Sequence, residues 1–306
     1  MRAFIFPGQG SQAVGMGKAL SEASAQARDV FAQVDEALGQ NLSWLMFEGP
    51  IDTLTLTENA QPAIMANAIA TLWASGIDLN KADFVAGHSL GEYSALCAAG
   101  TFDLPTTARL LKLRGQAMQA AVPVGQGAMA ALIGNGVEAA QEVAAQAAQG
   151  EICTVANDND PTQVVISGHK AAIERSIEIA RAAGFKRALL LPVSAPFHCP
   201  LMQPAADAME EALAEASMRA PKVPVYAIVT ATPARETEDI GQLLVTQVTG
   251  MVRWRESIAA MAEAGVDHFV EFGGKVLTPM VKRIAPEAKT TSVITMDDID
   301  ALVKEI

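Results

Sequence analysis

The stretch FVAGHSLGEYSALCAAG, residues 84–100, constrains the fold of this 306-residue chain more than any other. An apolar run typical of a strand ends at Gly87, a serine follows between two glycines, and an Ala-rich segment typical of a helix comes next. In a G-x-S-x-G turn the small flanking residues let the strand pass abruptly into the helix, so that the serine hydroxyl projects from the turn. The stretch therefore predicts a nucleophile, Ser89, although a glycine-serine turn that only caps a helix would look similar.

Strand-like and helix-like segments alternate along most of the chain. Residues 2–6 (RAFIF), 223–229 (VPVYAIV) and 268–273 (HFVEFG) are typical of buried strands, and residues 106–121 are typical of a helix. Alternation of this kind indicates an α/β fold with a mainly parallel sheet.

The pattern changes after the break PVGQG at 123–127. The segments that follow read strand, helix, strand, strand, helix, strand, and the turn-forming residues NDNDP at 157–161 are expected to join the two central strands. This order is that of the ferredoxin-like βαββαβ unit. We therefore predict a ferredoxin-like subdomain at 123–197, inserted into a large hydrolase-like α/β domain made of 1–122 and 198–306.

The composition excludes several classes of protein. Half of the residues are apolar and only 18% are charged, which indicates a folded chain, and the net charge of −12 argues against nucleic acid and anionic membranes as partners. No apolar run approaches the roughly 18 residues of a membrane span. The three cysteines are widely spaced and odd in number, as expected of reduced thiols in a cytoplasmic protein. We expect a monomer.

A nucleophilic serine needs a base, and the chain has only four histidines. His88 lies on the turn itself and should leave it on another side, whereas His268 lies within a predicted strand and His169 follows a strand of the small unit. His198 stands where the chain returns to the large domain. Spacing favours His198 without excluding the others.

Six motifs in order along the chain carry a resemblance to a known family: FPGQGSQ (6–12), GHSLGEYSAL (87–96), RGQAM (114–118), NDN (157–159), PVSAPFH (192–198) and QV (247–248). Together they resemble the malonyl-CoA:acyl carrier protein transacylases, the acyltransferases of fatty-acid synthesis, over essentially the whole chain. The inserted ferredoxin-like unit also matches that family's fold. One departure is Gly273-Gly274-Lys275, where the family pattern implies a Gly-Pro-Gly-Lys-like loop. We expect this loop to lie away from the catalytic motifs and the departure to have no consequence for the reaction.

The resemblance implies a role for several residues of the active site. Ser89 would become acylated and His198 would be its general base, while the main-chain N–H groups of Gln9 and Leu90 would form the oxyanion hole. Gln247 would orient the histidine through its main-chain carbonyl, in place of a triad acid. The reaction would be a ping-pong transfer from malonyl-CoA to the phosphopantetheine thiol of acyl carrier protein, with no metal or redox cofactor.

Other residues would recognise the substrate. Arg114 would bind the free carboxylate of the malonyl group, and Asn157 and Asn159 match a pair near the family's site. Without the resemblance, each of the three has an ordinary reading as a surface or turn residue. Phe197, next to the base, should crowd the acyl α-carbon and disfavour a methyl branch.

An acidic carrier protein would need local basic residues for docking. The candidates are Lys186, Arg187, Lys275 and Lys282.

Three other functions remain open at this point. The residues Gly8–Ala13 fit the GxGxxA pattern of dinucleotide-binding oxidoreductases, but the acids about 20 positions on, Asp29 and Asp35, lie in a helical pattern. A plain serine hydrolase would share the serine turn but would have no need of an arginine at Arg114. A non-catalytic carrier-binding protein would need neither Ser89 nor His198.

Overall fold

The computed structural model describes all residues from 1 to 306. Its ten strands are β1 (Arg2–Phe6), β2 (Phe84–Gly87), β3 (Gly127–Ile133), β4 (Cys153–Asp160), β5 (Gln163–His169), β6 (Arg187–Leu190), β7 (Val225–Ala227), β8 (Thr232–Ala234), β9 (His268–Phe272) and β10 (Lys289–Val293).

Fourteen α-helices accompany these strands. They are α1 (Lys18–Ala23), α2 (Ala25–Leu38), α3 (Leu42–Glu48), α4 (Ile51–Thr55), α5 (Thr57–Ser75), α6 (Gly91–Ala98), α7 (Leu104–Ala120), α8 (Val137–Ala148), α9 (Lys170–Ala182), α10 (Gln203–Glu215), α11 (Thr237–Thr249), α12 (Trp254–Glu263), α13 (Leu277–Ile284) and α14 (Met296–Glu305). Two 3-10 turns lie at Leu79–Lys81 and Pro200–Met202. None of the helices combines the length and apolar character that a membrane crossing needs.

The larger sheet has the order β10-β9-β1-β2-β7-β8 and is parallel except for β8. Its central strand β1 is apolar on both faces: Phe4 and Phe6 point into the core beneath α2, α5 and α7, whereas Ala3 and Ile5 point into a second core beneath α12 and α13. Alternation of side chains across a strand that is covered on both sides explains why RAFIF contains no alternating polar residue. The predicted α/β class is thus confirmed.

The smaller sheet is antiparallel, with the order β4-β5-β3-β6. In chain order this is 2-3-1-4, the order of a ferredoxin-like unit, with α8 and α9 packed on one face. On β3, Ala130 and Leu132 point toward these helices, whereas Met129 and Ala131 point to the opposite face. The expected βαββαβ order is therefore present, while the boundaries expected at 123 and 197 stay a prediction.

The turn expected at NDNDP is wrong in position, because β4 continues through it to Asp160 and the chain reverses at Pro161-Thr162. Asp158 is fully buried and pairs with Arg255 of α12, with 2.8 Å between Oδ2 and the guanidinium. Asp160 is also buried and pairs with Arg283 of α13 at 2.7 Å. These ion pairs hold turn-forming residues in an extended strand and fasten the small sheet to the large domain.

Candidate active site

The loops after β1 and β2 meet at the carboxyl edge of the larger sheet, because the two strands are parallel neighbours with Phe6 opposite Gly87. The elbow after β2 needs both of its glycines. A Cβ on Gly87 would lie 1.9 Å from the backbone of Gly91, and a Cβ on Gly91 would lie 2.3 Å from the carbonyl oxygen of Phe6. The G-x-S-x-G spacing is therefore a steric requirement of this packing.

Ser89 occupies the left-handed region of backbone conformation, with φ of 55°. This conformation costs a residue with a side chain about 1–3 kcal/mol, and it aims the hydroxyl out of the turn. Ser89 Oγ lies 2.7 Å from Nε2 of His198 and accepts a hydrogen bond from Nη2 of Arg114 at 3.1 Å. The serine is therefore in contact both with a base and with a fixed positive charge.

His198 is 4% exposed and also left-handed, with φ of 54°. Its Nδ1 lies 3.0 Å from the main-chain carbonyl oxygen of Gln247. Because a carbonyl only accepts, Nδ1 carries the proton and Nε2 keeps a free lone pair for the serine. Burial lowers the pKa of His198 to about 3, and the charge of Arg114 acts in the same direction. The imidazole is thus a neutral base at ordinary pH.

The main-chain N–H groups of Gln9 and Leu90 donate to no protein atom. Both residues line the same pocket as Ser89, and Leu90 directly precedes the first turn of α6. Two free N–H groups at one pocket are suited to bind a developing negative charge, and that of Leu90 also lies at the positive end of the α6 dipole.

Arg114 comes from α7 and is 1% exposed. Its guanidinium donates to Oε1 of Gln61 and to Oε1 of Gln247, both at 2.8 Å, and stacks over the Tyr93 ring at 5.7 Å. Burial lowers the pKa of Arg114, while the nearby Tyr93 and Glu92 oppose that shift. None of its hydrogen-bond partners is a carboxylate, so the charge is available to an anionic ligand.

The pocket beside Ser89 has a volume of about 400 Å³. One wall is the face of the small sheet that carries Met129, and another is the start of α13 with Leu277. Asn157 and Asn159 line the pocket from β4, and Oδ1 of Asn159 lies 2.8 Å from Nε2 of His88. The His88 side chain is thus hydrogen-bonded to the small sheet and does not contact the Ser89 hydroxyl.

Phe197 lines the same pocket and is half-buried. It packs against both the large core and the apolar face of the small sheet. All nine residues that the sequence predicts for the site lie at this pocket or bind a residue that does: Gln9, Ser89, Leu90, Arg114, Asn157, Asn159, Phe197, His198 and Gln247.

Sequence reasoning missed three residues that support the site. Glu92 and Gln61 bind Gln247 and Arg114 respectively. Glu271 is buried at the end of β9 and accepts from the N–H groups of Val276, Leu277 and Thr278 at 2.9–3.0 Å, which fixes the start of α13. Glu271 is an acid within an apolar strand and Glu92 is an acid within an Ala-rich helix, and either pattern could have identified the residue from the sequence. No sequence pattern distinguishes Gln61.

The loop at Gly273-Gly274 lies closer to the site than its place in the sequence suggests. A Cβ on Gly274 would meet the ring of Pro7 at 3.0 Å, and the chain enters the pocket wall three residues later at Leu277. The expectation that this loop lies away from the catalytic motifs is therefore wrong in space.

The basic candidates for carrier docking differ in their surroundings. Lys186, Arg187 and Lys275 are exposed and form no ion pair, and Lys275 precedes a residue of the pocket wall, Val276. Lys282 donates to the carbonyl oxygen of Ala288 at 2.7 Å.

Comparison with known proteins gives one consistent result. The model of the acyl transferase domain family matches residues 3–288. The malonyl CoA-acyl carrier protein transacylase of Bacillus subtilis is 43% identical, with 99% of this chain and 96% of the relative covered. The transacylase of the same name from Escherichia coli strain K12 is 44% identical over 92% of each chain.

Solved structures agree with the sequence relatives. An acyl-carrier-protein-S-malonyltransferase from Bartonella henselae superimposes with a TM-score of 0.97 at 52% identity, with 99% of this chain and 98% of the other covered. A malonyl-transacylase in complex with a type II PKS acyl-carrier protein superimposes with a TM-score of 0.96 at 39% identity, with 100% and 99% covered.

The dinucleotide-binding alternative is excluded by this agreement and by the fold, because Asp29 and Asp35 lie within α2 rather than at the end of a strand. The chain is an acyltransferase and belongs to the acyl transferase family, among the malonyl CoA-acyl carrier protein transacylases.

Proposed function

We propose that this chain transfers the malonyl group of malonyl-CoA to the phosphopantetheine thiol of an acyl carrier protein, through a malonyl ester on Ser89. One observation carries the proposal: Ser89 Oγ lies within hydrogen-bond distance of both the neutral base His198 and the buried cation Arg114. The names of the relatives, and the neighbour solved with a carrier protein, support the choice of substrates.

Acylation begins when Ser89 Oγ attacks the thioester carbonyl of malonyl-CoA and its proton passes to Nε2 of His198. The free N–H groups of Gln9 and Leu90 then bind the tetrahedral oxyanion. The carbonyl of Gln247 stabilises the imidazolium through Nδ1, in the position where other serine enzymes place a carboxylate. The C–S bond breaks, CoA leaves with the proton from His198, and the malonyl ester remains.

The second half of the cycle reverses these roles. The carrier's thiol gives its proton to His198 and attacks the ester, and Ser89 takes the proton back as it leaves. Nucleophile, base and oxyanion donors are all protein groups, so the proposed cycle calls for neither metal nor redox cofactor.

The three cysteines are buried and unpaired, which fits the reducing cytoplasm expected from the sequence.

Arg114 suits a short dicarboxylic acyl group. In a malonyl ester the free carboxylate is one methylene away from the ester carbonyl, and Nη2 of Arg114 lies 3.1 Å from the ester oxygen's position, Ser89 Oγ. A planar guanidinium can bind both oxygens of a carboxylate and stays protonated when buried. The carboxylate would then be held to one side of the carbonyl.

Intact-mass measurement after mixing with malonyl-CoA tests the proposal. We expect a stable adduct of one malonyl group that holo carrier protein removes, and no adduct on Ser89→Ala. Ser94→Ala is the matched control, since Ser94 is a buried serine of α6 whose hydroxyl has no partner. An adduct that water removes as fast as carrier would identify a hydrolase, and a wild-type protein without any adduct would identify a non-catalytic binder.

Carrier docking gives a further test. The exposed cations Lys186, Arg187 and Lys275 should attract an acidic carrier, and such attraction weakens with salt. Charge reversal at these three positions is expected to raise the KM for carrier several-fold and leave the KM for malonyl-CoA unchanged. A KM for carrier that is the same at low and high salt would contradict this placement.

A further inference from the structure

Glu92 is the only acidic residue of α6, and it lies three residues after Ser89. It is 3% exposed and does not line the pocket, so it has no contact with a bound acyl group. A buried carboxylate is costly unless donors surround it. Its partners therefore indicate what the residue does for the site.

Two donors reach the same oxygen of this carboxylate. Nε2 of Gln247 donates to Oε2 of Glu92 at 2.7 Å, and the main-chain N–H of Ile228 donates at 3.3 Å. Burial raises the pKa of Glu92 to about 7, while the two donors and the charge of Arg114 act in the opposite direction. The Gln247 contact is the shorter of the two, and it leads directly to the catalytic groups.

The side-chain amide of Gln247 has only one orientation that satisfies its neighbours. Its Oε1 accepts from Arg114 at 2.8 Å, and a guanidinium cannot accept a hydrogen bond. Its Nε2 must then face Glu92 and the carbonyl oxygen of Ser89, the latter at 3.3 Å. A flipped amide would place N–H groups against the arginine and an oxygen against the carboxylate.

The same residue also supports the base, because the main-chain carbonyl of Gln247 accepts from His198. We propose that Glu92 is a positioning residue: by fixing the amide of Gln247, it holds Arg114 in the orientation that receives a carboxylate and keeps Gln247 in place behind His198. This inference rests on the proposed malonyl transfer.

Two substitutions separate the hydrogen bond from the charge. Glu92→Gln keeps an oxygen that can accept from Gln247, whereas Glu92→Met has a similar length and no acceptor. Glu92→Met leaves the buried Nε2 of Gln247 without this acceptor, and an unsatisfied buried donor changes an equilibrium by about tenfold to a hundredfold. Glu92→Met should therefore lower kcat/KM for malonyl-CoA by about that factor, and for acetyl-CoA by less, because acetyl has no carboxylate for Arg114.

The readout is the ratio of kcat/KM for malonyl-CoA to that for acetyl-CoA. We expect the ratio to fall about tenfold or more in Glu92→Met and to stay within about threefold of wild type in Glu92→Gln. Glu138→Met is the matched control, because Glu138 is an exposed acid in the first turn of α8. A ratio that is unchanged in Glu92→Met, or reduced equally in both Glu92 variants, would overturn the proposal.

A double-mutant cycle tests the route through Gln247. In a Gln247→Met background, which keeps the main-chain carbonyl, adding Glu92→Met is expected to change the ratio by less than about twofold. Independent losses from the two substitutions would overturn the proposal. If Glu92→Met alone does not fold, Gln247→Met must lower the ratio by itself, and an unchanged ratio there would refute the mechanism.

Failure of this inference is distinguishable from failure of the proposed function. If the wild-type protein acquires no malonyl adduct, the function is wrong. If wild type is malonylated normally and only the substitutions at Glu92 behave otherwise than expected, the positioning role alone is wrong.

Discussion

Ser89 and His198 contact each other and have nearly the same left-handed backbone conformation, φ of 55° and 54°, but the structure supports them differently. The Ser89 elbow is local: the glycines on either side of the turn pack against each other and against β1. His198 has no flanking glycine. It is held by Gln247, which is 49 residues further along the chain, and its neighbour Cys199 donates to the carbonyl oxygen of Pro196 at 3.2 Å.

Backbone strain can be predicted from a sequence only where neighbouring residues cause it. A left-handed residue between two glycines has a recognisable pattern, whereas one that is held by distant contacts has none. The difference in support also implies that the serine is positioned by its own segment, while the base depends on α11 and on the way the chain leaves the small sheet. Substitutions should therefore affect the serine and the histidine independently.

Removal of the nucleophile and removal of the base should differ strongly in their effect on acylation. Ser89→Ala should abolish the malonyl adduct, because Ser89 carries the hydroxyl that is hydrogen-bonded to His198. His198→Ala should only slow adduct formation, by about 10²–10⁴-fold, because the elbow still presents the serine to the oxyanion donors. The measurement is the time course of adduct mass, with His169→Ala as a control histidine outside the site. A His198→Ala protein that is acylated at the wild-type rate would show that Ser89 needs no base from this loop.

Arg114 contacts Ser89 and also Gln247, the residue that orients the base. Removal of Arg114 should impair the reaction of acyl groups that carry a free carboxylate. Leaving a buried charge unpaired costs about 2–5 kcal/mol, so Arg114→Ala should lower kcat/KM for malonyl-CoA by about 30-fold to several-thousand-fold. Turnover of acetyl-CoA should hold steady or rise. Arg109→Ala, on the exposed side of the same helix, is the control. If kcat/KM falls equally for malonyl-CoA and acetyl-CoA, Arg114 is a structural residue and does not bind the carboxylate.

The rate of acylation should depend little on pH, because His198 stays unprotonated. A histidine with its ordinary pKa of about 6.5 would lose about 30-fold of its neutral form at pH 5. Because the pKa of His198 is lowered to about 3, the rate of acylation should change by less than about threefold between pH 7.5 and pH 5.

Two variants check the cause of that flat profile. Arg114→Ala removes a charge that lowers the pKa of His198, so the acid limb should move to higher pH. Glu92→Gln removes the neighbouring carboxyl group whose pKa is about 7, and the profile should remain flat. A wild-type rate that falls tenfold for each pH unit below 6.5 would contradict the buried neutral base.

Much of this architecture could be predicted because local patterns encode it. The apolar run of β1, the elbow at Ser89 and the strand–helix order of the small unit all depend on neighbours in sequence. The placement of His198, Arg114 and Gln247 together came from a family resemblance. Their own spacing does not show that α7, α11 and the loop before Pro200 meet.

The errors have a common physical reason. The residues NDNDP favour turns by local propensity, but the ion pairs of Asp158 and Asp160 with α12 and α13 hold them in β4. Likewise, Gly274 is far from Pro7 in sequence and in contact with it in space. In both cases the partners lie more than 90 residues away in the sequence, and local patterns contain no information about them.

Substitution of the residue beside the base should change the choice of acyl group only modestly. Phe197 is half-buried and lines the pocket, and its ring should crowd a methyl group on the acyl α-carbon. One misplaced methyl group is worth about 1–3 kcal/mol in an apolar pocket, so wild type should prefer malonyl-CoA over methylmalonyl-CoA by about tenfold or more in kcat/KM. Phe197→Leu should reduce that preference severalfold and leave the rate with malonyl-CoA within about threefold. Phe47→Leu, at a half-buried phenylalanine outside the pocket, should leave the preference unchanged. If wild type uses both thioesters equally well, Phe197 only packs between the two cores. The residue beside the base would then have no part in the choice of the acyl group.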